Sequence, residues 1–295
     1  MRLRTRVALV GACGLLAAGC GAPVEPSGLP TLADQASDES TEVILDPCSR
    51  PNLTTVEPGA LTFATSAGAA PPYFMTDEPS DELGFEAAYA YELAAQMGFR
   101  GPEVTWEVVE ARDILSGEFT DYDIAIGGFT SRPEEFAEVE FSIPFWQVEM
   151  SVLTSDNDVR NVLVGKTTDD GRTPQDLTWA ASDQGMAGPW LVEQQWLLAL
   201  GVRPARGGEQ VLAQWSGSDV RVVDRPTLAW LVETTDLSIR PLGAIEVPDE
   251  QYALVMVAGN PLVPCVNAAV ADLSAGPRLR ILVDRWLDPT RWDGG

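Results

Sequence analysis

Acids and thiols are the side chains through which this chain can do chemistry, because none of its 295 residues is a histidine. That absence removes the commonest general base and metal ligand, so histidine-dependent catalytic triads and histidine-ligated zinc sites are excluded. Aspartate and glutamate total 44 against 19 lysines and arginines, a formal charge of −25. A chain that acidic repels a polyphosphate surface, which argues against nucleic acid as a partner. The four cysteines stand at Cys13, Cys20, Cys48 and Cys265. Two isolated cysteines such as Cys48 and Cys265 cannot close a metal site without histidine, and no metal or organic cofactor is expected.

The first nineteen residues read as a targeting segment. Arg2, Arg4 and Arg6 form a basic start, Val7 to Ala18 an apolar run too short to span a bilayer, and Leu16-Ala17-Ala18-Gly19-Cys20 a small-residue cleavage site. The last stretch resembles the lipobox of bacterial lipoproteins, in which the cysteine is acylated and becomes the new first residue. Ala17 departs from that pattern, which usually has a larger aliphatic residue there. An ordinary signal peptide cleaved nearby is the alternative. On the lipobox reading Cys13 leaves with the leader, Cys20 carries lipid, and Cys48 and Cys265 remain together in an oxidising compartment. A disulfide is the economical reading of that pair, and two buried free thiols are the alternative.

The chain is long for a single domain, and its pattern suggests two. Residues 20–46 are rich in proline, small residues and acids, with no sustained apolar period, and read as a tether. From Ala60 the pattern alternates between strand and helix. Strands are predicted at Ala60–Thr65, Val104–Val108, Tyr122–Ile126 and Glu149–Thr154, with a short helix between the second and third. Phe85, Tyr89, Leu93 and Met97 recur every fourth residue and mark the core face of a helix. After the polar stretch from Lys166 to Asp176 a second series follows. It has strands near Leu177–Ala181, Val220–Val223 and Tyr252–Val257, and helices near Pro189–Leu200, Pro226–Glu233, Val263–Leu273 and Arg278–Leu287. Two α/β series joined by extended segments place a ligand groove between them, at the carboxyl ends of the strands.

The order of motifs resembles the amino-acid-type solute-binding proteins of ABC importers, extracellular solute-binding family 3, from about Pro58 to Leu287. Pro71-Pro72-Tyr73-Phe74 is similar to the family's Pro-Pro-Phe turn, and Gly84-Phe85-Glu86 to its Gly-Phe-Asp helix start. Ser116 to Phe119 and Tyr122 to Thr130 resemble its SGKFD and AGMT passage. Arg132-Pro133-Glu134 and Val139 to Phe145 resemble its TPER and VDFSDPY passage. Gln184-Gly185 and Ser218 to Asp224 resemble second-lobe motifs. The resemblance implies an α/β, two-lobed periplasmic-binding-protein fold of type II with two interlobe crossings. One lobe would comprise residues 47–150 and 254–290, the other 151–253. Both Cys48 and Cys265 would then lie in the first lobe.

The family pattern implies a ligand site residue by residue. Asp224 matches the acid that binds the ligand ammonium, while Thr130 and the backbone around Gly128 match groups that receive its carboxylate. The arginine that clamps the carboxylate falls on Glu135, and a like charge there repels about as strongly as the arginine would attract, ~4 kcal/mol at ~4 Å. Arg132, three residues earlier, is the candidate replacement, and Arg225 a second opposing cation. A first helical turn after Ser131 and Pro133 would give Glu134 and Glu135 a capping role instead. Ala67, Ala70, Met186 and Ala187 stand where larger or hydroxylated residues are expected, so a roomier, more apolar cleft follows, with Gln184, Phe129 and Trp190 on its walls.

The expected function is capture of a small polar ligand, an amino acid or a related compound, cations included, on the outer face of a membrane. The expected partners are an ABC permease and the lipid anchor, with the chain a monomer. Two alternatives remain: an enzyme on the same fold, like the cyclohexadienyl dehydratases with Glu135 as the acid, and a sensor or assembly subunit whose cleft has decayed.

Overall fold

The computed structural model describes residues 46–66, 71–154, 156–163, 166, 169–173, 176–181, 219–234, 240–241 and 250–288. All of them belong to one compact unit, Leu45–Gly295. The leader, Cys20, the tether up to residue 45 and the helix expected at 189–200 lie outside the described residues.

The first lobe is built on a five-stranded sheet ordered β2-β1-β3-β11-β4. Its strands are β1 (Leu61–Ser66), β2 (Val104–Val109), β3 (Ile124–Ala125), β4 (Val139–Phe141) and β11 (Val255–Val257). β1 runs parallel to β2 and β3, and β11 runs against β3 and β4. Helices cover one face: α1 (Phe85–Gln96), α5 (Val263–Ala275) and α6 (Pro277–Trp286). Alternate β1 side chains explain why all six of its residues are buried. Leu61 and Phe63 join the cluster made by these helices, while Ala64 joins a second cluster with Ile114 of the short helix α2 (Ala111–Leu115), Tyr122 and Phe129. Phe85, Tyr89, Leu93 and Met97 are all buried in the first cluster, as their spacing predicts. Each such burial is worth ~1.5–3 kcal/mol.

The second lobe contains a four-stranded sheet ordered β7-β8-β6-β9. Its strands are β6 (Met150–Thr154), β7 (Trp179–Ala181), β8 (Val220–Asp224) and β9 (Arg240–Pro241), with α3 (Asn157–Leu163) and α4 (Arg225–Thr234) beside them. A two-stranded antiparallel ribbon, β5 (Trp146–Val148) with β10 (Glu250–Tyr252), marks the two places where the chain crosses between lobes.

Three departures from the sequence reading bear on the site. The strand expected at Tyr252–Val257 divides into β10 and β11. At the division Ala253 N donates to Phe129 O at 2.8 Å and Leu254 N to Ser142 Oγ at 3.0 Å, so the segment changes partner and leaves one sheet for another. The strand at Tyr122–Ile126 shortens to Ile124–Ala125. Asp123, just before it, is buried and accepts Val56 N and Thr62 N, both at 2.8 Å. No helix forms after Pro133; residues 133–135 make a turn closed by Glu135 N donating to Arg132 O at 3.0 Å.

Cys48 and Cys265 form a disulfide. It pins the segment that precedes β1 to α5. The same segment is held by Arg50, which pairs with Glu103 at 2.6 Å and stacks 5.0 Å from the Phe99 ring centroid.

Candidate functional site

Two neighbouring motifs make one end of the site. The Pro71-to-Phe74 turn lies over the start of α1, where Phe85 N donates to Pro72 O at 3.0 Å and Glu86 N to Tyr73 O at 3.1 Å. These carbonyls satisfy helix N–H groups that have no partner inside the helix. Gly84 makes the approach possible: its φ is +112°, and a Cβ there would stand 2.2 Å from Tyr73 O. The turn and helix start therefore present Tyr73 and Glu86 side by side.

The other end is supplied by β8, which ends at Asp224 immediately before α4. Asp224 caps that helix, accepting Thr227 N at 2.8 Å and Thr227 Oγ1 at 2.7 Å. Across from it, Tyr73 donates its hydroxyl to Asp224 Oδ1 at 2.8 Å. This bond joins the two lobes at the carboxyl end of a strand. Asp224 is only partly buried, yet loss of water raises its pKa above the ordinary carboxylate range in spite of these hydrogen bonds. Tyr252 packs edge-on to Tyr73 with ring centroids 5.8 Å apart. Burial holds both phenols well above their ordinary range, and the Asp224 charge adds to the effect.

Acids also occupy the donors of the 128–132 segment. Gly128 N donates to Glu86 Oε1 at 2.8 Å, and Thr130 Oγ1 to Glu250 Oε2 at 2.7 Å. Arg132, itself buried, donates to Glu135 Oε2 at 3.0 Å and lies 5.1 Å from the Phe136 ring centroid. The segment is zipped to β10 through Ser131 N donating to Gln251 O at 3.0 Å and a bridge between Thr130 and Tyr252.

Of the residues singled out from sequence, Gly128, Thr130 and Asp224 thus share one neighbourhood with Tyr73, Glu86, Tyr252 and Glu250. Glu135 keeps 44% of its side chain exposed and is spent on Arg132. Arg225 is exposed and paired with Glu149, and Phe129 is fully buried in the second core cluster. Ala67, Ala70, Gln184, Met186, Ala187 and Trp190 lie outside the described residues. The roles of Tyr73, Glu86, Tyr252 and Glu250 did not emerge from sequence, although Tyr73 and Glu86 stand inside motifs that did. Among the described residues no group of acids and cysteines is arranged to hold a metal ion.

Glu86 carries a test of the site's electrostatics. It is 1% exposed, and burial pushes its carboxyl up to about 8, with the Gly128 N–H opposing and the Asp224 charge adding. In the folded protein it keeps its proton above pH 4.5, where the unfolded chain has lost it, until the pH reaches about 8. Folding takes up a proton in that window, so this contribution to stability is fully present below pH 4.5 and declines as pH rises to about 8. The decline is on the order of a few kcal/mol. Glu86→Gln keeps an oxygen for Gly128 and removes the titration. Thermal melts from about pH 4.5 to about pH 8.5 are expected to show a falling Tm in the parent and a flatter profile in the variant. Parallel profiles would show that Glu86 is not the source.

Residues 61–289 match the family described as bacterial extracellular solute-binding proteins, family 3. No curated protein matches the chain. Similar solved structures include the solute receptor for L-cysteine of Neisseria gonorrhoeae, 21% identical with a TM-score of 0.60, covering 82% of this chain and 97% of its own. The GluR0 ligand-binding core from Nostoc punctiforme, in complex with L-glutamate, is 18% identical with a TM-score of 0.59, covering 78% and 100%. A periplasmic binding protein of Salmonella typhimurium with high arginine specificity is 18% identical with a TM-score of 0.59, covering 78% and 99%. At these identities the likeness is one of fold.

Proposed function

Because the chain belongs to family 3 of the bacterial extracellular solute-binding proteins, we propose that it captures an amino-acid-type solute in the cleft between its lobes and delivers it to an ABC permease. The observation that supports this most is the Tyr73–Asp224 hydrogen bond, which brings a partly buried carboxylate at the end of β8 against the first lobe. A carboxylate so placed suits a ligand ammonium, and ligand bound there would bias the lobes toward closure about the β5–β10 ribbon. The lobes in this reading are residues 47–150 with 254–290, and 151–253. Lipid on Cys20 and the tether of residues 20–46 would hold the body outside the membrane as a monomer. No helix among the described residues is long and apolar enough to cross a membrane.

Binding rather than catalysis is the reading we favour, since the acid that a dehydratase-like enzyme would draw on, Glu135, is paired with Arg132. Mass spectrometry of metabolites carried by gently purified protein, followed by X-ray scattering with and without the ligand found, tests the proposal. Compaction on binding is expected; a ligand that leaves the interlobe geometry unchanged would contradict the capture mechanism. Cys20→Ala is expected to release the protein from membranes. Retention of that variant, with no lipid mass on the parent, would defeat the anchor.

A further inference from the structure

We propose that the cleft selects a cation without a carboxylate, an amine or a guanidine, in preference to the amino acid of the same side chain. The inference rests on the capture reading above and names the class of solute that this site would take.

An inventory of donors and acceptors carries it. A carboxylate needs N–H or O–H donors, and three on the 128–132 segment already hold side-chain acids of the chain itself: Gly128 N with Glu86, Thr130 Oγ1 with Glu250, and Arg132 Nη1 with Glu135. The second cation near the site, Arg225, is paired with Glu149 at the surface. Arg221, three residues before Asp224 on β8, belongs to the opposite face of the strand. An acceptor remains on the other side of the cleft, for among the described residues Asp224 is partly open to solvent.

Two hydroxyls nearby add lone pairs that can accept from a cation, each with one O–H to donate. Thr65 Oγ1 and Ser66 Oγ, at the carboxyl end of β1, are 2% and 1% exposed by residue and have no hydrogen-bond partner among the described residues. They lie against Gly127: a Cβ on that glycine would stand 3.2 Å from the first and 3.3 Å from the second. That places them one residue from the Gly128 N–H that holds Glu86. Buried polar atoms are rarely left unpaired, so these two point to groups that a ligand would satisfy. A multi-donor cation can use Asp224 and the lone pairs of these hydroxyls, whereas a ligand carboxylate meets the Asp224 charge and finds Gly128 N, Thr130 Oγ1 and Arg132 Nη1 occupied.

Matched pairs that differ by one carboxylate test the inference: agmatine with arginine, putrescine with ornithine, and cadaverine with lysine, titrated calorimetrically into the full chain. The amine of at least one pair is expected to bind about tenfold or more tighter than its amino acid, the margin expected for a like-charge clash in a partly desolvated site. Equal or tighter binding of the amino acids throughout overturns the inference and leaves capture standing. Silence from all six solutes overturns the inference, and capture too falls if the protein then carries no solute from the cell. Glu135→Ala supplies a second arm, because it frees Arg132, whose Nε also has no acceptor among the described residues. The gap within each pair is expected to narrow about tenfold in that variant. An unchanged gap would show that the Arg132–Glu135 pair does not exclude the carboxylate.

Discussion

Replacing Asp224 with asparagine is expected to weaken binding of an ammonium-bearing solute by roughly 30-fold or more, because losing one partner of a desolvated charge pair typically costs ~2–5 kcal/mol. The substitution is chosen to separate charge from architecture. Asparagine caps helices about as well as aspartate, so the contacts from Thr227 N and Thr227 Oγ1 survive in large part and α4 keeps its start. Tm should therefore change little while affinity collapses. Tyr73→Phe removes the hydroxyl that reaches Asp224 Oδ1 but leaves the carboxylate, and should cost less than Asp224→Asn. Calorimetry with the solute found by mass spectrometry measures both. Affinity of Asp224→Asn within about threefold of the parent would mean that the charge lies outside the binding contacts.

Removing the Cys48–Cys265 bridge is the largest expected loss of stability, ~2–5 kcal/mol, since it closes a loop across a sequence separation of 217 residues. Cross-linking so distant a pair removes many conformations from the unfolded chain. In its absence the segment before β1 rests on Arg50, which reaches Glu103, Gly98 O and Gly59 O, and on Val56 N donating to Asp123. The Arg50–Glu103 contact is a half-exposed ion pair, and exposed ion pairs in general are worth ~1 kcal/mol or less. The double variant Cys48→Ser with Cys265→Ser is expected to melt on the order of 10 °C lower. A reducing agent should reproduce the shift in the parent and do nothing to the variant. Equal melting temperatures for parent and variant would show that the bridge does not hold the folded state together.

The regular elements were legible where periodicity was strong. The fourfold recurrence of Phe85, Tyr89, Leu93 and Met97 marked α1 because a helix turns its core face inward at that spacing, and apolar runs marked β1, β2, β6 and β8. Short strands such as β4, β5 and β9 were not legible as strands, since three or two residues carry no period. Nor was the division between β10 and β11, which depends on Phe129 O and Ser142 Oγ meeting the chain from distant positions. Pro133 followed by two glutamates reads locally as a helix start. The structure makes it a turn, with Arg132 buried and drawn to Glu135.

The sequence by itself determined the family, through motifs whose order survives divergence, and it determined the acidic character and the cysteine pair that the structure joins. Composition and order are properties of the chain as a string. Which donor holds which carboxylate was decided only in three dimensions. Gly128 meets Glu86 from 42 residues away, Thr130 meets Glu250 from 120, and Tyr73 meets Asp224 from 151. The charge of a buried acid depends on the water it loses and the neighbours it gains, and both are set when β1, α1, β8 and β10 pack. Sequence could therefore name Asp224 and Glu135 as acids to weigh, while tertiary structure decided that one faces Tyr73 across the lobes and the other is spent on Arg132.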